Sequence, residues 1–170
     1  MNKIFDIFLR YIILIIVAFP NFYLLYLIFT PLTLYPVYFL LNLFYDVSLR
    51  GDFIMIGYRS IELIGACIAG SAYYLLLIFN LSVPDVKLKK RFKMLAFAFL
   101  AFLVINIIRI FLLSILFLSN SQWFDITHKL FWYVGSIVFV VGIWFFEVKY
   151  FKIKKIPIYS DLRFLFKKLK

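Results

Sequence analysis

The side chains of this 170-residue chain that could do chemistry are few, and they stand in apolar surroundings. The only cysteine, Cys67, lies in Glu62-Leu-Ile-Gly-Ala-Cys-Ile-Ala-Gly-Ser71, at the head of an uncharged run from Leu63 to Pro84. Arg109 is the one charged residue between Met94 and Phe124, and the only histidine, His128, opens the next apolar stretch. A charge at mid-membrane costs roughly 2.5 to 3.5 kcal/mol on insertion scales, so Arg109 calls for a functional or paired explanation. The thiolate, not the thiol, is the nucleophile, and a nearby cation or a helix N-terminus favours it. Cys67 as nucleophile, His128 as proton carrier and Arg109 as the charge that steadies a thiolate or an oxyanion form a coherent set. The expected step is attack on a peptide carbonyl, giving a thioester that an amine, a lipid nucleophile or water resolves. Asn106, one turn before Arg109, is placed to hydrogen-bond the guanidinium. Gly65 and Gly70 would let a substrate backbone come close, with Ser71 beside them. Asp125 is expected to cap the last helix rather than orient His128.

The elements that must position these residues follow from composition. With 66% hydrophobic residues, 22% aromatics and a mean hydropathy of +1.03, the chain reads as an integral membrane protein. The expected fold is all-α and polytopic, a bundle of four to five transmembrane helices. A single membrane domain spans 1–170, divided into one or two spans in 1–45, a catalytic core of three spans in 46–148 and a basic cytoplasmic tail in 149–170. Of 19 basic residues, 13 fall between Lys87 and Lys93 or between Lys149 and Lys170. Such clusters set topology and meet anionic lipid headgroups, and do not imply nucleic acid. One cysteine and one histidine exclude an internal disulfide, a thiolate zinc site and a multi-histidine metal centre, and no cofactor is expected.

In chain order, the uncharged run from Tyr11 to Tyr45 exceeds one span. It fits two shortened or tilted helices turning near Thr30-Pro31, or one span with an interfacial segment. Asp46 to Glu62 is a polar connection with room for a short strand or hairpin. The Cys67 helix is expected over Ile64 to Leu81, followed by spans over Met94 to Leu118 and Ile126 to Phe146. Tyr159 to Lys170 alternates basic and apolar residues, as a small amphipathic helix on the membrane would. The positive-inside rule places the Lys87 to Lys93 loop and the tail in the cytoplasm, and Asp46 to Glu62 and Ser119 to Asp125 outside. At 1.5 Å per residue Cys67 and His128 then lie roughly 5 Å below the outer boundary and Arg109 about 12 Å below it, within snorkelling reach.

The order Ala66-Cys67-Ile-Ala-Gly70-Ser71, then Asn106-Ile-Ile-Arg109, then Thr127-His128 with Gly135, resembles the exosortase/archaeosortase family over roughly residues 55 to 148. The resemblance implies a membrane-embedded cysteine protease or transpeptidase with Cys67, Arg109 and His128 as catalytic residues. Its substrates would be exported proteins ending in a short motif, a transmembrane helix and a basic tail, cleaved outside the membrane and passed to a surface or lipid acceptor. Ile68 departs from the threonine or serine that often follows the cysteine in that family. The reading from another class is a non-enzymatic membrane protein, a transporter subunit or assembly factor, which would tolerate Cys67→Ala. A serine protease built on Ser71, Ser114 or Ser136 would have only His128 as its base.

Overall fold

The computed structural model describes residues 3–155, 157–159, 161 and 166. The amphipathic helix expected over 159–170 lies, but for Tyr159, Asp161 and Phe166, outside the described residues. The elements are α1 (Lys3–Ala18), α2 (Tyr23–Asn42), β1 (Val47–Arg50), β2 (Phe53–Ile56), β3 (Arg59–Glu62), α3 (Gly65–Ile68), α4 (Gly70–Leu81), α5 (Leu88–Leu118), α6 (Phe124–Leu130), a π-helical turn (Phe131–Gly135) and α7 (Ser136–Tyr150). Among the described residues three helices are long and apolar enough to cross a membrane: Tyr23–Asn42, Leu88–Leu118 and Phe124–Tyr150. Gly65–Leu81 is a shorter apolar helical stretch.

The chain is not wholly helical. The polar connection forms a three-stranded antiparallel meander in the order β1-β2-β3, one strand more than a hairpin. Two-residue turns make it, each led by a glycine at positive φ, Gly51 at 59° and Gly57 at 56°, as tight hairpin turns of this hand require. Leu49, Ile54 and Ile61 align across the strands, and Ile54 is fully buried, so this row seats the sheet on the helices.

The N-terminal segment departs from the expected turn near Thr30-Pro31. The break falls instead at Asn21 and Phe22, left-handed at φ 49° and 60°, while Pro31 and Pro36 lie inside α2. Proline removes a helix hydrogen bond, but the stripe Leu25, Phe29, Thr33, Val37 and Leu41 is buried in a core shared with residues of α4 and α5. Side-chain packing on both sides of each proline keeps the helix going. The direction of travel is fixed by contacts. Arg10 of α1 donates to the carbonyl of Leu81, at the end of α4. Phe22 then packs on Tyr74, Phe29 stacks on Tyr73 at 3.6 Å, and Phe44 reaches Phe111 in the far half of α5. Thus α1 and α2 together carry the chain once from the basic end of the bundle to the sheet end.

The basic end is a fastened joint. Arg10 pairs with Asp6 at 3.1 Å and with Asp161 at 3.0 Å. Arg91, only 5% exposed, donates to the carbonyls of Asn80 at 2.8 Å, Leu81 at 2.9 Å and Val83 at 2.9 Å. The basic stretch expected as a loop over Lys87 to Lys93 is helical from Leu88, and Arg91 in the first turn of α5 satisfies the orphan carbonyls at the end of α4 instead of facing solvent. Asn80 also donates from its side chain to Glu147 of α7 at 3.0 Å, and both side chains are fully buried.

Candidate functional site

Continuous helix was expected from Ile64 to Leu81, but the backbone breaks at Ala69, left-handed at φ 58° and ψ 46°. A non-glycine residue there costs roughly 1 to 2 kcal/mol, so its surroundings must hold it. The N–H groups of Ala72 and Tyr73 both return to the Ala69 carbonyl, and the helical ladder restarts at that point. The break leaves the Cys67 carbonyl without its partner four residues on. Two side chains of α5 take it instead. Asn106 Nδ2 donates to Cys67 O at 2.9 Å, and Arg109 Nη2 donates to the same oxygen at 3.3 Å.

Asn106 thus does not hold the guanidinium, as its spacing had suggested; the two residues share an acceptor. Both are buried, Asn106 at 1% and Arg109 at 8% exposure. Arg109 Nη1 donates to Ser136 Oγ at 3.2 Å, and Ser136 in turn donates to Phe131 O at 3.5 Å across the π-helical turn. The turn places a hydroxyl opposite the guanidinium, and such irregular turns occur often at functional sites. Arg109 Nε is buried without a partner among the described residues.

Cys67, Arg109 and His128 all line one cavity of about 640 Å³ at the sheet end. Cys67 is half-buried there. His128 is also half-buried, its ring stacked on Phe124 at 5.5 Å and edge-on to Trp132 at 5.8 Å. These three rings recur every fourth residue, so one helix face holds the imidazole between a stacked and an edge-on neighbour. Among the described residues the His128 side chain makes no hydrogen bond, to Cys67 or to any other group, so aromatic contacts alone hold the ring at the cavity wall.

The supporting residues fare unequally. Ser71 is exposed and lines the cavity. A Cβ on Gly70 would stand 2.8 Å from Tyr26 Cζ, and one on Gly65 would stand 3.4 Å from Tyr26 Cε1. Tyr26 therefore stands against both glycines on the side where a side chain would project. Asp125 sits in the first turn of α6, where an acid suits the helix dipole, but among the described residues no side chain caps that helix.

Tyr26 and Arg59 had not been identified as parts of the site, and Ser136 had been weighed only as the nucleophile of a serine protease. Tyr26 was one polar side chain among many in an apolar run. Arg59 of β3 donates to Phe117 O and Leu118 O, each at 3.0 Å, and to Asn120 Oδ1 at 2.8 Å. It also lies over the Phe117 ring at 5.7 Å. The strand that leads to Cys67 is thereby fastened to the end of α5, from which the chain turns towards His128. No family model, curated protein or solved structure matches the chain.

Proposed function

We propose that the chain is a four-pass membrane protein that acts as a cysteine transpeptidase of the exosortase/archaeosortase kind, with its site on the extracytoplasmic side. The observation that carries the reading is the Arg109 guanidinium, deep in an apolar helix, hydrogen-bonded to the Cys67 carbonyl in a cavity that His128 also lines. Passage through the bundle supports four crossings: α1 with α2, α3 with α4, α5, and α6 with α7. The basic loop and the basic residues after α7 favour the cytoplasm for that end, and the sheet and the cavity lie at the other.

In the reaction, the Cys67 thiol gives its proton to His128 and attacks the scissile carbonyl across the cavity. The carbon–sulfur bond forms as the carbonyl electrons move onto oxygen, where the Arg109 cation offsets the charge. Collapse breaks the carbon–nitrogen bond, and His128 returns the proton to the leaving amine. An acceptor amine, lipid nucleophile or water then attacks the thioester, losing a proton to His128 and freeing the thiolate. The substrates are exported proteins ending in a short motif, an apolar span and basic residues, as the resemblance implies.

The test is co-expression with tagged proteins of that kind from the same genome. Depletion of acceptor should accumulate an enzyme–substrate adduct that hydroxylamine cleaves, absent with Cys67→Ala. Substrate processing by Cys67→Ala at the normal rate would leave the non-enzymatic reading in its place.

A further inference from the structure

Among the described residues, β3 is an edge strand, paired on one side with β2 and unpaired on the other. Leu63 N–H donates to Asp52 O, extending the β2–β3 register by one pair. Hydrogen-bonded pairs alternate along an antiparallel ladder. Residues 59, 61 and 63 therefore turn their backbone groups to β2, and those of Ser60 and Glu62 point to the open edge. Among the described residues no backbone hydrogen bond is made by Ser60 or Glu62. Open edges are ordinarily shielded, yet this one borders the cavity, which Ser60, Ile61 and Glu62 line together with Cys67. Arg59 holds the same strand rigid through its bonds to the end of α5. Ile61 seats it on the core cluster that includes Ile54.

We infer that the open edge of β3 is the docking rail for the substrate peptide, which adds as a fourth, extended strand and delivers its scissile carbonyl to Cys67. The occupant is a main chain in β conformation, recognised by the N–H and C=O groups of Ser60 and Glu62, with side chains read only where they dip into the cavity. This rests on the transpeptidase reading. The edge leads within five residues to the nucleophile, so a peptide paired along it is aimed at the thiol without a further turn.

The test uses the full-length protein in detergent, where the single cysteine makes alkylation site-specific. Two reagents are compared: iodoacetamide, too small to use the edge, and an acetylated tetrapeptide chloromethyl ketone of alternating alanine and valine. Ser60→Pro removes an N–H that the β2–β3 ladder does not use, as proline on an edge strand can. It should slow the peptidyl reagent about fivefold to tenfold, the worth of roughly one hydrogen bond, and leave iodoacetamide within about twofold. Ser60→Ala keeps that N–H and should slow the peptidyl reagent by less than Ser60→Pro does. On the unaltered protein, N-methylating the backbone amides of the peptidyl reagent should slow it by a similar factor, a result independent of whether Ser60→Pro folds. Equal rates for the methylated and parent reagents would overturn the rail, as would Ser60→Ala slowing the peptide as much as Ser60→Pro. A detergent-stable dimer that Ser60→Pro dissolves, with the peptidyl rate unchanged, would assign the edge to a second copy of the chain. Failure of unaltered Cys67 to react with either reagent would instead sink the nucleophile on which the rail depends.

Discussion

Arg109 has two possible reasons to exist, and Arg109→Lys separates them by magnitude. As a structural cap, it fills the Cys67 carbonyl left open by the Ala69 break, sharing that duty with Asn106. As a catalytic cation, it faces the cavity where charge develops. Lysine keeps the charge but concentrates it at one point, so it cannot span Cys67 O at 3.3 Å and Ser136 Oγ at 3.2 Å as the two terminal guanidinium nitrogens do. The fold should lose about 1.5 kcal/mol, the low end for a hydrogen bond to a charged group, since Asn106 still holds the Cys67 carbonyl at 2.9 Å. In a cooperatively folded protein that loss leaves the folded fraction nearly unchanged, and a purely structural arginine would leave the rate nearly unchanged too. Removing a positioned donor to an oxyanion costs on the order of 10² to 10³ in rate. The assay pairs thermal unfolding in detergent with the rate of substrate processing per folded molecule. A small loss of stability with a hundredfold loss of rate is expected. Processing by Arg109→Lys within about threefold of the unaltered protein would refute the catalytic role and leave the cap alone.

Two further outcomes test the frame around the site. Arg59→Ala removes three hydrogen bonds at the end of α5, and should cost about 1 to 2 kcal/mol and open the meander to proteolysis near Gly51 and Gly57; unchanged protease sensitivity there would show that the sheet is held by its apolar row alone. Ser48→Cys and Ser121→Cys, each in a Cys67→Ala background, should react with an impermeant maleimide on intact cells, and labelling only after lysis would move the cavity to the cytoplasmic side.

The sequence by itself carried the helices of spanning length, because a run such as Met94 to Phe124 with a single charge is long and apolar enough to cross a membrane in any arrangement. It also singled out Cys67, Arg109 and His128, since a lone thiol, guanidinium and imidazole stand out against apolar neighbours whatever the packing. The polar connection from Asp46 to Glu62 was legible as a short strand or hairpin, although not its third strand. Only the tertiary structure decided where helices break. Thr30-Pro31 and Asn21-Phe22 carry similar local signals, and α2 runs through its prolines because a buried stripe on both sides outweighs the lost hydrogen bonds. Ala69 carries no breaking signal at all; its left-handed turn persists because Asn106 and Arg109, some forty residues away, satisfy the carbonyl it frees. The partnerships of Arg59 with the end of α5, Arg91 with the end of α4 and Ser136 with Arg109 were likewise beyond reach of the sequence. Each joins a side chain to an atom whose availability depends on where another element ends, and that is set by packing across the whole bundle.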